Sequence, residues 1–125
     1  MKFSGMKRNI IYLQHIIDEI NFITNETKNL TYESFVQSQI YTRAFSRSLE
    51  IIGEAVKNLS PDFKQTHPNI DWRKMSGMRD KLIHHYFGID FDLLWDVVEN
   101  KLPELVDKIN LILIESEDNE NRSTV

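Results

Sequence analysis

The sequence contains no cysteine, only four glycines and three prolines among its 125 residues, and no apolar run long enough to cross a membrane. The absence of cysteine excludes disulfides, thiolate zinc sites, iron–sulfur clusters and a cysteine nucleophile. It is typical of a reducing compartment, and we predict a cytoplasmic protein. No secretory signal is expected, because Gln14 and His15 interrupt the apolar run that begins at Ile10. The scarcity of glycine and proline indicates a helical chain.

An excess of positive charge is also missing, since 15 Lys and Arg stand against 19 Asp and Glu, a net charge of -4. Nucleic-acid-binding proteins usually show the opposite balance. The negative charge is not evenly spread, however. Residues 1–86 carry 12 basic and 9 acidic side chains, whereas residues 87–125 carry 3 and 10. The first part therefore has a net charge of +3, which is compatible with a locally basic site.

The length is that of one domain, predicted over residues 1–125 with an ordered core at about 6–114 and a disordered acidic tail at 115–125. No strand-like alternation and no internal repeat occurs. Apolar residues instead recur at helical spacing in four long segments, so the predicted fold is an all-α bundle of four long helices plus a short one.

The ends of these helices are predicted from capping residues and from helix-breaking residues. Thr31, Asp71 and either Asp90 or Asp92 are suited to N-cap positions, and Gly88 to a helix end. The predicted long helices cover about 6–25, 31–59, 71–88 and 90–114.

Three further positions carry local information. Ser60-Pro61 predicts the start of a short helix that ends before His67-Pro68. Gly53, inside the second long helix, indicates close packing of another helix. Pro103 is expected to kink the last helix near Glu99, because proline removes one helical hydrogen bond.

The densest cluster of reactive side chains lies at residues 78–87 and includes Arg79, Asp80, His84 and Tyr86. Between residues 72 and 86, four basic side chains stand against one acidic side chain, a local charge of +3. Histidine exchanges protons near neutral pH, and arginine stabilises negative charge that develops on a phosphate. Such a set suits metal-free cleavage of RNA, in which the 2′-hydroxyl is an internal nucleophile.

The spacing of this cluster is informative and also raises a geometric problem. Arg-x4-His alone is expected by chance about 0.6 times in such a chain, but a tyrosine two residues later lowers this to about 0.02. On an ideal helix, Arg79 and His84 are about 140° and 7.5 Å apart, so their side chains do not lie together. Either the helix is distorted near His84-His85, or a second copy in a two-fold dimer supplies the partner groups.

The stretch DWRKMSGMRDKLIHHYFGID at residues 71–90 resembles the signature of HepT-like proteins of the HEPN superfamily. RSLEIIGEA at residues 47–55 and LPEL at residues 102–105 are similar to this family as well. The resemblance covers about residues 6–114, and its motifs keep their order.

This resemblance implies an all-α, usually dimeric protein with a ribonuclease site at Arg79, Asp80 and His84. HepT-like proteins are commonly toxins paired with an MntA-type minimal nucleotidyltransferase antitoxin, which uses ATP to add AMP groups to the tyrosine that corresponds to Tyr86. Such a protein needs no cofactor or metal of its own. AMP on Tyr86 would place negative charge beside Arg79 and His84, the groups meant for the RNA phosphate.

Simpler interpretations of the same residues stay open. Arg79 and Asp80 are also compatible with a solvated helix face, and His84 with a capping histidine. Tyr86 lies on the apolar stripe of its helix, so a partly buried position is compatible with its modification. His84-His85 is a poor metal pair, because adjacent helical residues diverge and no carboxylate completes the site.

Glu50 and Glu54, one helical turn apart, have the spacing of a general acid and base. Ion pairs with Arg47 or Lys57 on an exposed face are the better interpretation. His15 and His67 are expected to be structural or exposed, and Met75 and Met78 to belong to the core.

The sequence thus predicts a metal-independent endoribonuclease, the toxin of a HepT/MntA-type pair. Its expected partners are RNA, the nucleotidyltransferase and a second copy of the chain, with no DNA and no membrane. The alternative is a catalytically inactive helical partner that docks the nucleotidyltransferase and presents Tyr86 to it.

Overall fold

The computed structural model describes residues 2–84 and 88–123, and within them helices predominate. The elements are α1 (Lys2–Thr27), α2 (Tyr32–Gln37), α3 (Gln39–Asn58), α4 (Pro61–Thr66), α5 (Trp72–Leu82), β1 (Ile83–His84), β2 (Gly88–Ile89), α6 (Phe91–Asp96), a π-helical segment (Val97–Lys101) and α7 (Leu102–Ser123).

The core lies between the four long helices. Helix α3 packs against both α1 and α5, and α1 packs against α7 and the π-helical segment. The apolar stripe predicted for the second long helix is buried in full, and the buried residues of α3 and the turn after it include Phe45, Leu49, Ile52, Val56 and Leu59. The predicted all-α helical bundle is confirmed.

The prediction of one continuous helix at about 31–59 is wrong, because the helix is interrupted at Ser38. Thr31 caps the short α2 as expected, with its side chain accepting a hydrogen bond from the Ser34 backbone N–H. Ser38 then leaves the helical conformation, and its side chain accepts from the backbone N–H of Tyr41 to cap α3. The break lets Phe35 on α2 turn into the core, where it is fully buried and stacks on Phe45.

The predicted end of the third long helix is also wrong. It begins where expected, with the Asp71 side chain accepting from the Lys74 N–H at 3.0 Å, but it stops at Leu82 rather than near Gly88. The two-residue strands β1 and β2 follow as an antiparallel pair that the sequence did not predict. Met75, Met78 and Leu82 are buried, as expected for the core stripe.

The last helix begins at its predicted cap, since the Asp90 side chain accepts from the Leu93 N–H at 3.1 Å. A π-helical segment lies where the kink near Glu99 was predicted, and the Leu102 N–H bonds the carbonyl of Val97, five residues back. Pro103 has no N–H to offer to the Glu99 carbonyl, which explains the wider turn at this place.

The end of α7 differs from the prediction. The backbone is helical as far as Ser123, whereas we expected the helix to end near Ile114 and residues 115–125 to be disordered. Adding residues to an existing helix is much easier than starting one, and the polar residues after Ile114 extend a helix that the core already holds in place.

The short helix α4 confirms the prediction from Ser60-Pro61. Ser60 is its N-cap and accepts from the Phe63 N–H. The buried side chain of Asn9 bonds Ser60 twice, donating to its hydroxyl at 3.1 Å and accepting from its backbone N–H at 3.0 Å. This pair attaches α4 to α1.

Gly53 allows the close approach of α3 and α5 that the sequence predicted. A Cβ at this position would lie 3.4 Å from the backbone oxygen of Ser76 and 3.7 Å from that of Met75. The backbone of α5 therefore occupies the space that a longer side chain on α3 would need.

We expect Gly53→Leu to lower the free energy of unfolding by about 1–3 kcal/mol, because the added atoms must displace the α5 backbone. Gly53→Ala should change it by less than about 1 kcal/mol, since better helix propensity offsets a tight contact. Urea unfolding measures both. The matched control is Gly77→Leu on α5, where a Cβ would meet nothing within 4 Å. Equal stability of the two leucine variants would contradict this account.

Candidate active site

The predicted catalytic motif spans the junction between α5 and the β1–β2 hairpin. Arg79 and Asp80 belong to the last part of α5, and His84 is the second residue of β1. Tyr86 and the neighbouring His85 lie outside the described residues, as do the side chains of Arg79 and His84. The helix stops at Leu82, so the 140° separation of an unbroken helix does not apply to Arg79 and His84. Of the two solutions that the sequence left open, an interrupted helix is the one observed within this chain.

Backbone hydrogen bonds close the hairpin that carries His84. Ile83 pairs with Ile89 and His84 pairs with Gly88 in the antiparallel ladder. The Asp90 N–H donates to the Leu82 carbonyl at 2.9 Å, so the chain entering the hairpin is tied to the chain leaving it. Gly88 has a φ of 83°, a conformation that other residues adopt only with strain.

Helix α6 supports the outgoing side of this hairpin. The Tyr32 hydroxyl of α2 donates to the Asp92 carboxylate, and the Tyr32 ring packs edge-on against Trp95. This hydrogen bond is the main cause that raises the pKa of Tyr32, with desolvation and the charges of Asp92 and Asp90 adding to it. The contact joins the start of α2 to the start of α6, directly after the hairpin.

Two adjoining grooves open on the surface between α3 and α5. The larger has a volume of about 680 Å³, and the smaller one of about 310 Å³ lies over Gly53. Asp80, Lys57 and Ser76 line both grooves. The larger groove is completed by Asp71, Arg73, Lys74, Gly77 and Lys81. Asp80 thus lies where the motif helix meets an open, charged groove.

The sequence gives no sign that Lys57 and Ser76 line these grooves. Their positions on α3 and α5 become neighbours only through helix packing at Gly53, and no spacing along the chain indicates this contact. The local charge of +3 between residues 72 and 86 predicts a basic surface there. It does not show which of Arg73, Lys74 and Lys81 line a groove.

The other candidates have structural partners. Arg47 Nη1 lies 3.1 Å from Glu50 Oε2, and Lys57 Nζ lies 3.6 Å from Glu54 Oε1, which confirms the ion-pair interpretation. His67 packs against Phe63, with 4.7 Å between the centroids of the two rings. His15 is exposed, with its ring edge-on to that of Tyr12.

Within the described part of the chain, no group of three or more His, Asp or Glu residues is arranged to hold a metal ion. Among the same residues, no helix combines the length and the apolarity that crossing a membrane requires.

Comparison with known proteins decides the family. A sequence model of the ribonuclease HepT-like family matches residues 16–112, a range that contains the whole motif. The chain belongs to the ribonuclease HepT-like family. Membership confirms the family that the motifs indicated and places the chain among ribonucleases.

Full-length relatives support this assignment. The HepT-like chain is 45% identical over 108 residues to a protein named as a candidate RNase in Caldanaerobacter subterraneus subsp. tengcongensis, covering 86% of this chain and 96% of that protein. It is 46% identical over 97 residues to a protein named as a probable ribonuclease HepT in Thermococcus cleftensis, covering 78% and 88%. A candidate RNase of Methanocaldococcus jannaschii is 43% identical over 109 residues, covering 86% and 90%. No solved structure matches the chain significantly.

We expect Gly88→Ala to lower the free energy of unfolding by about 1–2 kcal/mol, the cost of a left-handed conformation for an L-residue. The cost is conformational, because a Cβ there would meet nothing within 4 Å. Urea unfolding measures it, and faster hydrogen exchange of the Asp90 amide would report the loosened hairpin. Gly77→Ala is the control, since it lies inside a helix and should stabilise the protein. A Gly88→Ala variant as stable as the wild type would contradict the assigned backbone conformation.

Proposed function

We propose that this HepT-like chain is a metal-independent endoribonuclease that acts in the cytoplasm, as a homodimer, as the toxin of a HepT/MntA-type pair. The observation that carries the proposal is the family match over residues 16–112, which contains Arg79, Asp80, His84 and Tyr86 in the expected order and spacing. The position of the motif at the end of α5 supports it, because a helix that stops at Leu82 removes the geometric objection to a joint site.

The reaction needs one base, one acid and one cation. His84 takes the proton of the RNA 2′-hydroxyl as this oxygen attacks the adjacent phosphorus. The new bond forms between the 2′-oxygen and phosphorus, the bond to the 5′-oxygen breaks, and the leaving oxygen receives a proton. The products are a 2′,3′-cyclic phosphate and a 5′-hydroxyl. In a two-fold dimer, His84 of the partner subunit is available as the acid.

Arg79 and Asp80 complete this assignment. The Arg79 guanidinium stabilises the additional negative charge of the phosphorane, for which its planar set of donors is well suited. Asp80 orients Arg79 and His84 from the groove that it lines. These steps need no metal, because side chains supply the base, the acid and the cation.

We expect the purified chain to cleave tRNA or mRNA in EDTA and to leave 2′,3′-cyclic phosphate ends. His84→Ala and Arg79→Ala should each reduce the rate about 10²–10⁴-fold, the usual contribution of a positioned acid or base and of a charge-stabilising donor. Denaturing gels and end-group analysis measure the outcome. His15→Ala is the matched control, because His15 is exposed on α1. Undiminished cleavage by His84→Ala would show that the catalytic assignment is wrong.

We further propose that AMP transfer to Tyr86 silences the enzyme. The nucleotidyltransferase partner supplies the chemistry: the Tyr86 oxygen attacks the α-phosphorus of ATP, and pyrophosphate leaves. The added phosphate places negative charge near the cationic site, where it competes with the RNA phosphate for Arg79.

Co-expression with an MntA-type nucleotidyltransferase should raise the intact mass by one AMP group, or a whole number of AMP groups, and abolish cleavage. Tyr86→Phe should prevent both effects, whereas Tyr12→Phe, a substitution in the middle of α1, should prevent neither. An active nucleotidyltransferase that leaves Tyr86 unmodified would contradict the regulatory proposal. Modified Tyr86 in a chain that never cleaves RNA would favour the inactive binding partner instead.

A further inference from the structure

The larger groove between α3 and α5 has the charge and shape of a binding site for a polyanion. Four cations line it, Lys57 from α3 and Arg73, Lys74 and Lys81 from α5, against the two carboxylates of Asp71 and Asp80. All four of these basic residues are exposed. The groove therefore carries a local excess of two positive charges in a chain whose net charge is -4.

One of the two carboxylates, that of Asp71, already has a partner within the helix. The Asp71 side chain accepts from the Lys74 backbone N–H at 3.0 Å and stabilises the positive end of α5, so its charge is directed at the helix. Lys57 is paired with Glu54 at 3.6 Å, and their side chains are 57% and 70% exposed. An ion pair this exposed contributes little to stability. Lys57 can therefore leave Glu54 and bind a phosphate with only a small loss of free energy.

The spacing of the cations on α5 fits a stacked strand. Lys74 and Lys81 are seven residues apart, so they lie on nearly the same helix face with a rise of about 10.5 Å between them. At about 3.4 Å per nucleotide, this distance covers about three nucleotides of a stacked strand. Lys81 is followed within three residues by His84, so the row of cations leads towards the motif hairpin.

We propose that this groove binds the phosphates of the RNA strand that flanks the cleaved bond, with Lys57, Arg73, Lys74 and Lys81 as the binding residues. The proposal rests on the ribonuclease function proposed above, and it assigns residues that the catalytic motif does not include. The last third of the chain carries ten acidic and three basic side chains, so it repels RNA, whereas the groove attracts it.

Binding to RNA that cannot be cleaved tests the groove apart from the chemistry. A short fluorescein-labelled single-stranded RNA of mixed sequence, with 2′-O-methyl groups throughout, is titrated with the full-length chain between about 50 and 200 mM NaCl. The test variant is Lys74→Gln/Lys81→Gln. The matched control is Lys7→Gln/Lys28→Gln, which removes the same charge from exposed positions on and after α1.

The test variant should bind this RNA about tenfold more weakly than the control, with a salt-dependence slope smaller by about 1.4, the value for two lost phosphate contacts on a single strand. With cleavable RNA it should raise KM and leave kcat close to that of the control, because the lost contacts are equally present before and during the reaction. Arg73→Gln, tested alone, should give about half of the change in slope.

Equal RNA affinity of the two double variants would overturn the proposal and favour an acidic protein surface as the partner of the groove. A loss of kcat without a change in affinity would also overturn it. These outcomes differ from failure of the ribonuclease proposal, in which the unsubstituted chain leaves cleavable RNA intact whatever the groove binds.

Discussion

The close packing of α5 against α3 depends on a small residue at position 53. A Cβ on Gly53 would lie 3.4 Å from the backbone oxygen of Ser76, an ordinary contact distance, so the space between the two helices leaves no room for a longer side chain. This contact brings Lys57 next to the exposed face of α5 and forms the grooves that Asp80 lines. It also holds α5, and with it the motif, at a fixed place on the core.

The second constraint is the closure of the hairpin after α5. Leu82 anchors the end of the helix in the core, and its carbonyl accepts from the Asp90 N–H. Asp90 in turn caps α6, which Tyr32 joins to α2 through Asp92. The end of α5 and the two strands that follow it are therefore held in place by buried and hydrogen-bonded groups on both sides.

The charged residues are unevenly distributed over the chain. The overall acidity belongs to the last third of the chain, whereas the larger groove is lined by four basic and two acidic residues. For an enzyme acting on RNA, this distribution limits non-specific attraction to the nucleic acid and concentrates it near the motif. Net charge alone is therefore a poor guide to the partner of such a chain.

Local patterns predicted a large part of the fold. The stripe of Phe45, Leu49 and Ile52, the caps at Asp71 and Asp90, and the irregular turn before Pro103 all follow from residues within a few positions of each other. The family could also be predicted from local patterns, because each of its motifs is a contiguous stretch of sequence. The order and spacing of Arg79, Asp80, His84 and Tyr86 are properties of the sequence by itself.

Tertiary structure decided the rest. The break at Ser38 lets Phe35 reach the core, a benefit that no local pattern expresses, since a serine without a neighbouring glycine or proline also fits a continuous helix. The end of α5 at Leu82 depends on a hydrogen bond to Asp90, eight residues later, and on pairing within the hairpin. The charged groove exists only because helices distant in sequence pack together at Gly53. The sequence by itself thus determined the family and the order of the motif residues, while packing decided where the described part of the motif is held, because that position depends on contacts between distant parts of the chain.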